Sequence, residues 1–195
     1  PSPLKSGFST RFARALAEMH QETQEQYGLD HDNFIGSTTQ INTMELDGII
    51  FFREHRIRFQ QKLARKKRGL PKDVDRRLDM FCKKLENLFD FKNEKPSLLH
   101  GDLWSGNYFA SHDQTPYIFD PAVYFGLREA DLAMTEMFGR LPDEFYGAYH
   151  EAFPTRPGYT ERKDIYNLYH ILNHYNLFGG SYLEQADRTV RSFIN

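Results

Sequence analysis

An aspartate, an asparagine and a second aspartate stand at positions 102, 107 and 120 of this 195-residue chain, inside the string HGDLWSGNYFASHDQTPYIFD. Two carboxylates and an amide are hard oxygen donors, the set that suits Mg²⁺ bridging nucleotide phosphates. The spacing suits phosphoryl transfer, in which one Asp takes the proton of a hydroxyl while an Asn and another Asp hold the metal. For that chemistry the three side chains have to meet. Residues 97–99 read as a short strand, 100–106 as a loop, and 107–110 and 117–120 as hairpin arms joined by the polar turn 111–115. A hairpin sets the start of its first arm beside the end of its second. Asn107 and Asp120 are therefore expected at one end, with Asp102 on the loop just ahead of them.

The elements around this segment are expected to be helical. Phe8, Phe12, Leu16 and Met19 recur at helical spacing, with Ser6 or Ser9 as the N-cap. Residues 31–42, rich in Gly, Asn and Thr, read as a long ordered loop. A helix is expected over 44–68, stopped by Gly69, with Pro71 opening the next, whose stripe is Val74, Leu78, Phe81, Leu85 and Leu88. Further helices are expected near 129–138, 143–151, 161–178 and 182–193. The class is mainly α with one small β-hairpin, as a single domain over 1–195.

The string LLHGDLWSGN, followed by IFDPAVYFGLREADLAMTEMFG (118–139) and YNLYHILNHYNLFGGSYLEQA (166–186), resembles the fructosamine/ketosamine-3-kinase family, within the protein-kinase-like aminoglycoside and choline kinase group. HDNFIGSTTQIN (31–42) resembles it too, and the resemblance runs from about residue 16 to 186. It implies the C-terminal lobe of a protein-kinase-like fold, ATP and Mg²⁺ as cofactors, and transfer of the γ-phosphate to a ketosamine sugar hydroxyl, O3, as a step in deglycation. Such a kinase also uses a first lobe with a Gly-rich loop and a strand Lys paired to a helix Glu. No GxGxxG occurs in these 195 residues, so the N-terminal lobe is expected to be absent from this chain and the isolated chain to be inactive. Leu127 stands where bacterial relatives commonly have Asp, a departure that puts a polar contact from this position in doubt and spares the metal ligands.

Asp102 is the expected catalytic base, and Asn107 and Asp120 the expected metal and nucleotide ligands. The bland readings are a turn-forming Asp and hairpin-end hydrogen bonding. His100 reads as a brace for the loop, and Asp131 as an acceptor for loop amides beside Glu129 at a helix start. Trp104, the chain's one tryptophan, reads either as core or as a platform for the substrate's sugar ring. His170 and His174 are an i, i+4 pair with no third zinc ligand at helical spacing, so packing or a cleft-lining role is expected, with His174 facing substrate. The basic run from Arg53 to Arg68 reads as a solvated helix face or as a docking patch for an acidic partner.

Only ten residues separate Asp120 from Asp131 and no Ala-Pro-Glu follows, which leaves an open cleft for a small molecule rather than a peptide. A formal net charge of −2 gives no electrostatic case for a nucleic-acid partner. Cys82 stands alone, which excludes an intrachain disulfide, and the longest apolar run, 49–52, is too short for a membrane span. A cytoplasmic protein is expected, without membrane or nucleic-acid partners. Self-association is expected through surface that the missing lobe would cover. The rival readings are an aminoglycoside- or choline-type kinase and a catalytically inactive pseudokinase or binding module.

Overall fold

The recurrence of Phe8, Phe12 and Leu16 forms helix α1 (Phe8–Gln21), whose buried face also carries Ala13, Ala17 and His20. The structure, a computed structural model, describes residues 3–5, 7–88 and 94–194. The N-cap of α1 is Gly7, in the left-handed region and without a capping side chain. Ser9 therefore lies inside the first turn and does not cap it, and Ser6 lies outside the described residues.

Residues 31–42 correct the loop expectation: they form an antiparallel hairpin of β1 (Asn33–Ile35) and β2 (Thr38–Gln40). Gly36, at φ 56°, makes the turn. Three of the amide side chains that read as loop are spent on hydrogen bonds inside the fold. Gln40 Nε2 donates to Asn33 Oδ1 and to the carbonyl of Ala122, and Asn42 Nδ2 donates to Asn33 Oδ1.

The helix expected over 44–68 starts later and is not uniform. Asp47 caps it, Oδ1 accepting from the amides of Ile49 and Ile50. Helix α2 (Gly48–Phe51) then widens into a π-helical segment (Phe52–Arg58) before α3 (Phe59–Arg68) ends at Gly69, φ 68°. The wider turn brings Phe52, Arg56 and Ile57 inside together, and the Arg56 guanidinium lies 4.0 Å over the Tyr124 ring and 4.5 Å over that of Phe51. Helix α4 (Lys72–Leu88) follows Pro71 and buries Val74, Leu78, Phe81, Cys82 and Leu85.

Much of the basic run is laced to acids. Arg53 pairs with Glu54 and Glu86, Arg58 with Glu54 and Asp79, and Arg65 with Asp75 and Asp79. Arg68 instead donates to the carbonyls of Asn176 and Leu177 at the end of a later helix.

Among the described residues, three two-stranded antiparallel sheets stand where one hairpin and a short strand were expected. Strand β3 (Ser97–Leu99) pairs with β6 (Tyr124–Gly126), and β4 (Tyr108–Ala110) with β5 (Pro116–Ile118). The β4–β5 ladder closes at Tyr108 and Ile118, so Asn107 and Asp120 lie just beyond it rather than within the arms. Four helices follow: α5 (Glu129–Met137), α6 (Asp143–Ala152), α7 (Tyr159–Phe178) and α8 (Tyr182–Ile194). The fold is mainly helical with small sheets.

Among the described residues two apolar clusters form the core. One joins the π segment, α4, α7 and α8; the other joins α1, α6 and the start of the loop after β3, at Leu103. Helix α5 is wedged between them, with Ala130 and Ala133 in the first and Leu132 in the second. Residues 129–135 are buried all round, two carboxylates included, which demands polar partners inside the protein. Leu127 is in the core. No helix among the described residues is long and apolar enough to cross a membrane.

Candidate active site

The loop after β3 is held by one buried carboxylate. Asp131, on α5, accepts from the amide of His100 at 2.7 Å and from that of Gly101 at 2.9 Å. His20 Nε2 lies 3.2 Å from the same side chain, and its Nδ1 is 2.7 Å from the hydroxyl of Tyr149, which also accepts from Arg128. A relay of donors therefore runs Arg128, Tyr149, His20, Asp131. Burial raises the Asp131 pKa, but the hydrogen bond from His20, the electrostatic pull of the His20 and His100 rings, and the Gly101 amide outweigh it and hold the carboxyl below its ordinary value.

His100 is buried and has a single consistent tautomer. Its Nε2 faces the carbonyl of Phe119 at 3.0 Å, which requires a proton there, and its Nδ1 faces the amide of Asp102 at 3.3 Å, which requires a lone pair. Its backbone carbonyl accepts from Ala122. Gly101 sits at φ 82°, where a Cβ would lie 2.1 Å from the Ala122 carbonyl oxygen, so only glycine fits this approach of loop to strand.

Beyond that brace Asp102 and Asn107 are one unit. Asn107 Nδ2 donates to the Asp102 backbone carbonyl at 2.8 Å and to its carboxylate at 3.2 Å. The backbone carbonyl of Asn107 accepts from Phe119, which brings the residue before Asp120 to the same end of the hairpin. Asp102 is raised to about 6: burial is the main cause, the Asn107 hydrogen bond opposes it, and the charges of Asp131 and Asp120 add to it. Asp120 is exposed and left-handed, φ 58°, a conformation uncommon outside glycine and concentrated at functional sites. Among the described residues no three His, Cys, Asp or Glu side chains group as a metal site. The donors here are instead Asp120 and the amide oxygen of Asn107, whose nitrogen is committed to Asp102. That hard-oxygen set, beside a partly buried carboxylate, fits Mg²⁺.

Trp104 is 37% exposed and stands edge-on to Phe138, ring centres 5.9 Å apart. Phe138 continues to His174 (5.2 Å), and His174 to Tyr182 (5.1 Å) and Phe178 (5.7 Å). Trp104 and His174 thus belong to one aromatic group that begins two residues from Asp102. His174 Nδ1 donates to the His170 carbonyl at 2.7 Å. His170 itself is buried with Nδ1 3.9 Å from the Asp102 carboxylate and no hydrogen-bond partner on that nitrogen. Burial, and then the charge of His174, push its pKa down to about 3, so it stays neutral against Asp102.

Sequence reasoning missed His20, Tyr149 and the part Arg128 plays, and it gave His170 a packing or cleft-lining role without setting it beside Asp102. His20 carried one faint signal, a histidine on the apolar face of α1. The others share no spacing with the loop, because they reach it from α6, α7 and the turn before α5.

The chain matches the model of the fructosamine kinase family over residues 3–195. It is 48% identical over 188 residues to a protein of Vibrio parahaemolyticus named probable ketoamine kinase, covering 96% of this chain and 64% of that one. It is 41% identical over 190 residues to the chloroplastic protein-ribulosamine 3-kinase of Arabidopsis thaliana, covering 96% of this chain and 58% of the relative. The crystal structure of a candidate fructosamine-3-kinase from Thermobifida fusca matches with a TM-score of 0.92 at 33% identity, over 99% of this chain and 67% of that one. That from Haemophilus somnus matches at 0.88 and 32%, over 100% and 65%. The chain thus spans less than two thirds of the length of the curated relatives named.

Proposed function

The chain belongs to the fructosamine kinase family, and from that premise we propose that it supplies the catalytic-loop lobe of a kinase that phosphorylates O3 of ketosamines with ATP, a deglycation reaction. Asp102 orients the sugar hydroxyl and accepts its proton as the oxygen attacks the γ-phosphorus. The bond from that phosphorus to the bridging oxygen breaks, and ADP departs. Asn107 and Asp120 would hold Mg²⁺, which neutralises charge on the nucleotide phosphates when bound. Asp131 and His100 keep the loop in register, Trp104 offers its ring to the apolar face of the sugar, and His174 borders the same space. The observation that carries this reading is the double hydrogen bond of Asn107 to Asp102, which ties the base and a metal ligand into one rigid unit.

The test is ATP-dependent transfer by the full-length gene product to a synthetic ketosamine, read by phosphorus NMR. A new phosphate ester on O3 is expected, and Asp102→Asn should lower kcat by about 10²–10⁴-fold with little change in ATP affinity. Transfer to an aminoglycoside or to choline, but to no ketosamine, would move the protein to another substrate class. An Asp102→Asn enzyme within a few-fold of wild type would remove the base from its role.

A further inference from the structure

The carboxylate of Asp102 is faced on two sides and bonded on one. Its Oδ2 accepts from Asn107 Nδ2 at 3.2 Å. Its Oδ1 accepts no hydrogen bond among the described residues, and His170 Nδ1 stands 3.9 Å from it. That nitrogen is buried and has no hydrogen-bond partner of its own. A histidine that only packs has its buried ring nitrogens paired, because an orphaned polar atom inside a protein costs free energy. Here an imidazole nitrogen without a partner faces a carboxylate oxygen without a protein donor.

Both groups are placed by the same helix. On one side Asp131 of α5 holds the amides of His100 and Gly101, just ahead of Asp102. On the other, Asn167 of α7, three residues before His170, donates to the carbonyl of Ala133 on α5 at 2.9 Å. One turn beyond His170, His174 Nδ1 donates to the His170 carbonyl at 2.7 Å, and Asn176 Nδ2 donates to Gln60 Oε1 of α3 at 2.8 Å. The imidazole therefore rides on a pinned stretch of helix. The Asp102 carboxylate is the freer partner, since the last torsion of an Asp side chain has a broad range. Burial, then His174 and Arg56, disfavour a second proton on the His170 ring against the pull of Asp131, so the ring is neutral. A lone pair on Nδ1 would repel the carboxylate oxygen, whereas an N–H there attracts it.

Resting on the reading of Asp102 as the base, we propose that His170 is the positioning residue of that base. Its Nδ1–H closes onto Oδ1 once sugar and nucleotide are seated, and with Asn107 on Oδ2 it fixes the plane of the carboxylate. A closing of roughly 1 Å brings the pair into the ~2.7–3.2 Å range of an N–H···O bond, and catalytic hydrogen bonds commonly tighten in this way in the substrate complex. Oδ1 has two lone pairs. One meets His170, and the other is left to take the proton of the sugar hydroxyl. His170 neither gains nor loses a proton in the transfer.

The experiment compares three substitutions in the full-length protein. His170→Leu fills the volume without a donor. His170→Asn sets an amide N–H where Nδ1 stands, and His170→Gln sets one where Nε2 stands. His170→Leu should lower kcat by about 10²-fold, the effect of a misplaced catalytic group, with KM for ATP and for ketosamine within ~3-fold of wild type. His170→Asn should recover at least ~10-fold of that loss and His170→Gln none of it. A His170→Leu enzyme within a few-fold of wild type, a His170→Asn enzyme no better than His170→Gln, or activity that merely follows thermal stability across the three would overturn the assignment. Ring ¹⁵N shifts of labelled histidine give a reading that needs no turnover. The His170 proton should lie on Nδ1, and that resonance should move in Asp102→Asn. A proton on Nε2, or a resonance indifferent to Asp102→Asn, would overturn it equally. The same ring signature in a protein that phosphorylates no ketosamine would support the pairing and count against the proposed reaction alone.

Discussion

Replacing Asp131 by Asn should destabilise the protein by about 3–5 kcal/mol, although the two side chains have nearly the same shape. The carboxylate is 1% exposed and takes three donors: the amides of His100 and Gly101 and the ring of His20. Asparagine keeps one acceptor oxygen and turns an NH₂ toward donors. One backbone N–H therefore loses its partner, at roughly 1–3 kcal/mol for a buried orphan, and the surviving bonds lose the assistance of charge. The sum matches the ~3–5 kcal/mol typical of breaking a buried charged pair from one side. Urea unfolding at pH 7 should show a lower midpoint at unchanged slope. The pH dependence adds a second reading. The Asp131 pKa is lower in the folded protein than its value of ~3.9 in an unfolded chain, so its stabilisation is complete above that value and is lost as pH falls through the folded one. The gap between wild type and variant should be constant from about pH 5 to 7 and narrow below about pH 4. A loss under ~1 kcal/mol at neutral pH, or a gap that widens in acid, would refute the account of this carboxylate as the brace of the loop.

Three further outcomes are expected. Gly101→Ala should destabilise by at least ~2 kcal/mol and lower activity, since a Cβ there meets the Ala122 carbonyl at 2.1 Å in a left-handed backbone; thermal unfolding within error of wild type would contradict that geometry. Trp104→Ala should raise the KM for ketosamine roughly tenfold, the equivalent of ~1.4 kcal/mol, with kcat nearly intact and the circular dichroism unchanged; an unaltered KM would detach the ring from the substrate. The double substitution Lys66→Gln, Lys67→Gln, on exposed positions of α3, should change stability by no more than ~0.5 kcal/mol in a denaturant titration; a larger loss would show that this basic run does more than solvate a helix face.

The helices were legible because amphipathic spacing is local. α1, α4, α7 and α8 fall within a few residues of where apolar periodicity puts them, and Gly69 ends α3 for a reason any sequence shows, the αL stop. The loop and hairpin carrying Asp102, Asn107 and Asp120 were legible for the same reason. Their order follows from turn chemistry within about twenty residues, and the ladder ended only one or two residues short of the expected arms. Three things escaped. The β1–β2 hairpin is stabilised by amides buried against Ala122, over 80 residues away, so its polar residues read as loop. The π segment depends on Arg56 finding the rings of Tyr124 and Phe51, and no period in the chain announces that partner. The brace around Asp131 draws on His20, Arg128 and Tyr149. The order of residues along the chain therefore determined which groups could do the chemistry. Packing of α1, α5, α6 and α7 decided their environment: which carboxylate is buried and anchored, which is pushed up to about 6, and which histidine stands neutral beside it. Burial and the field of distant charges are sums over the whole fold, and no window of sequence contains them.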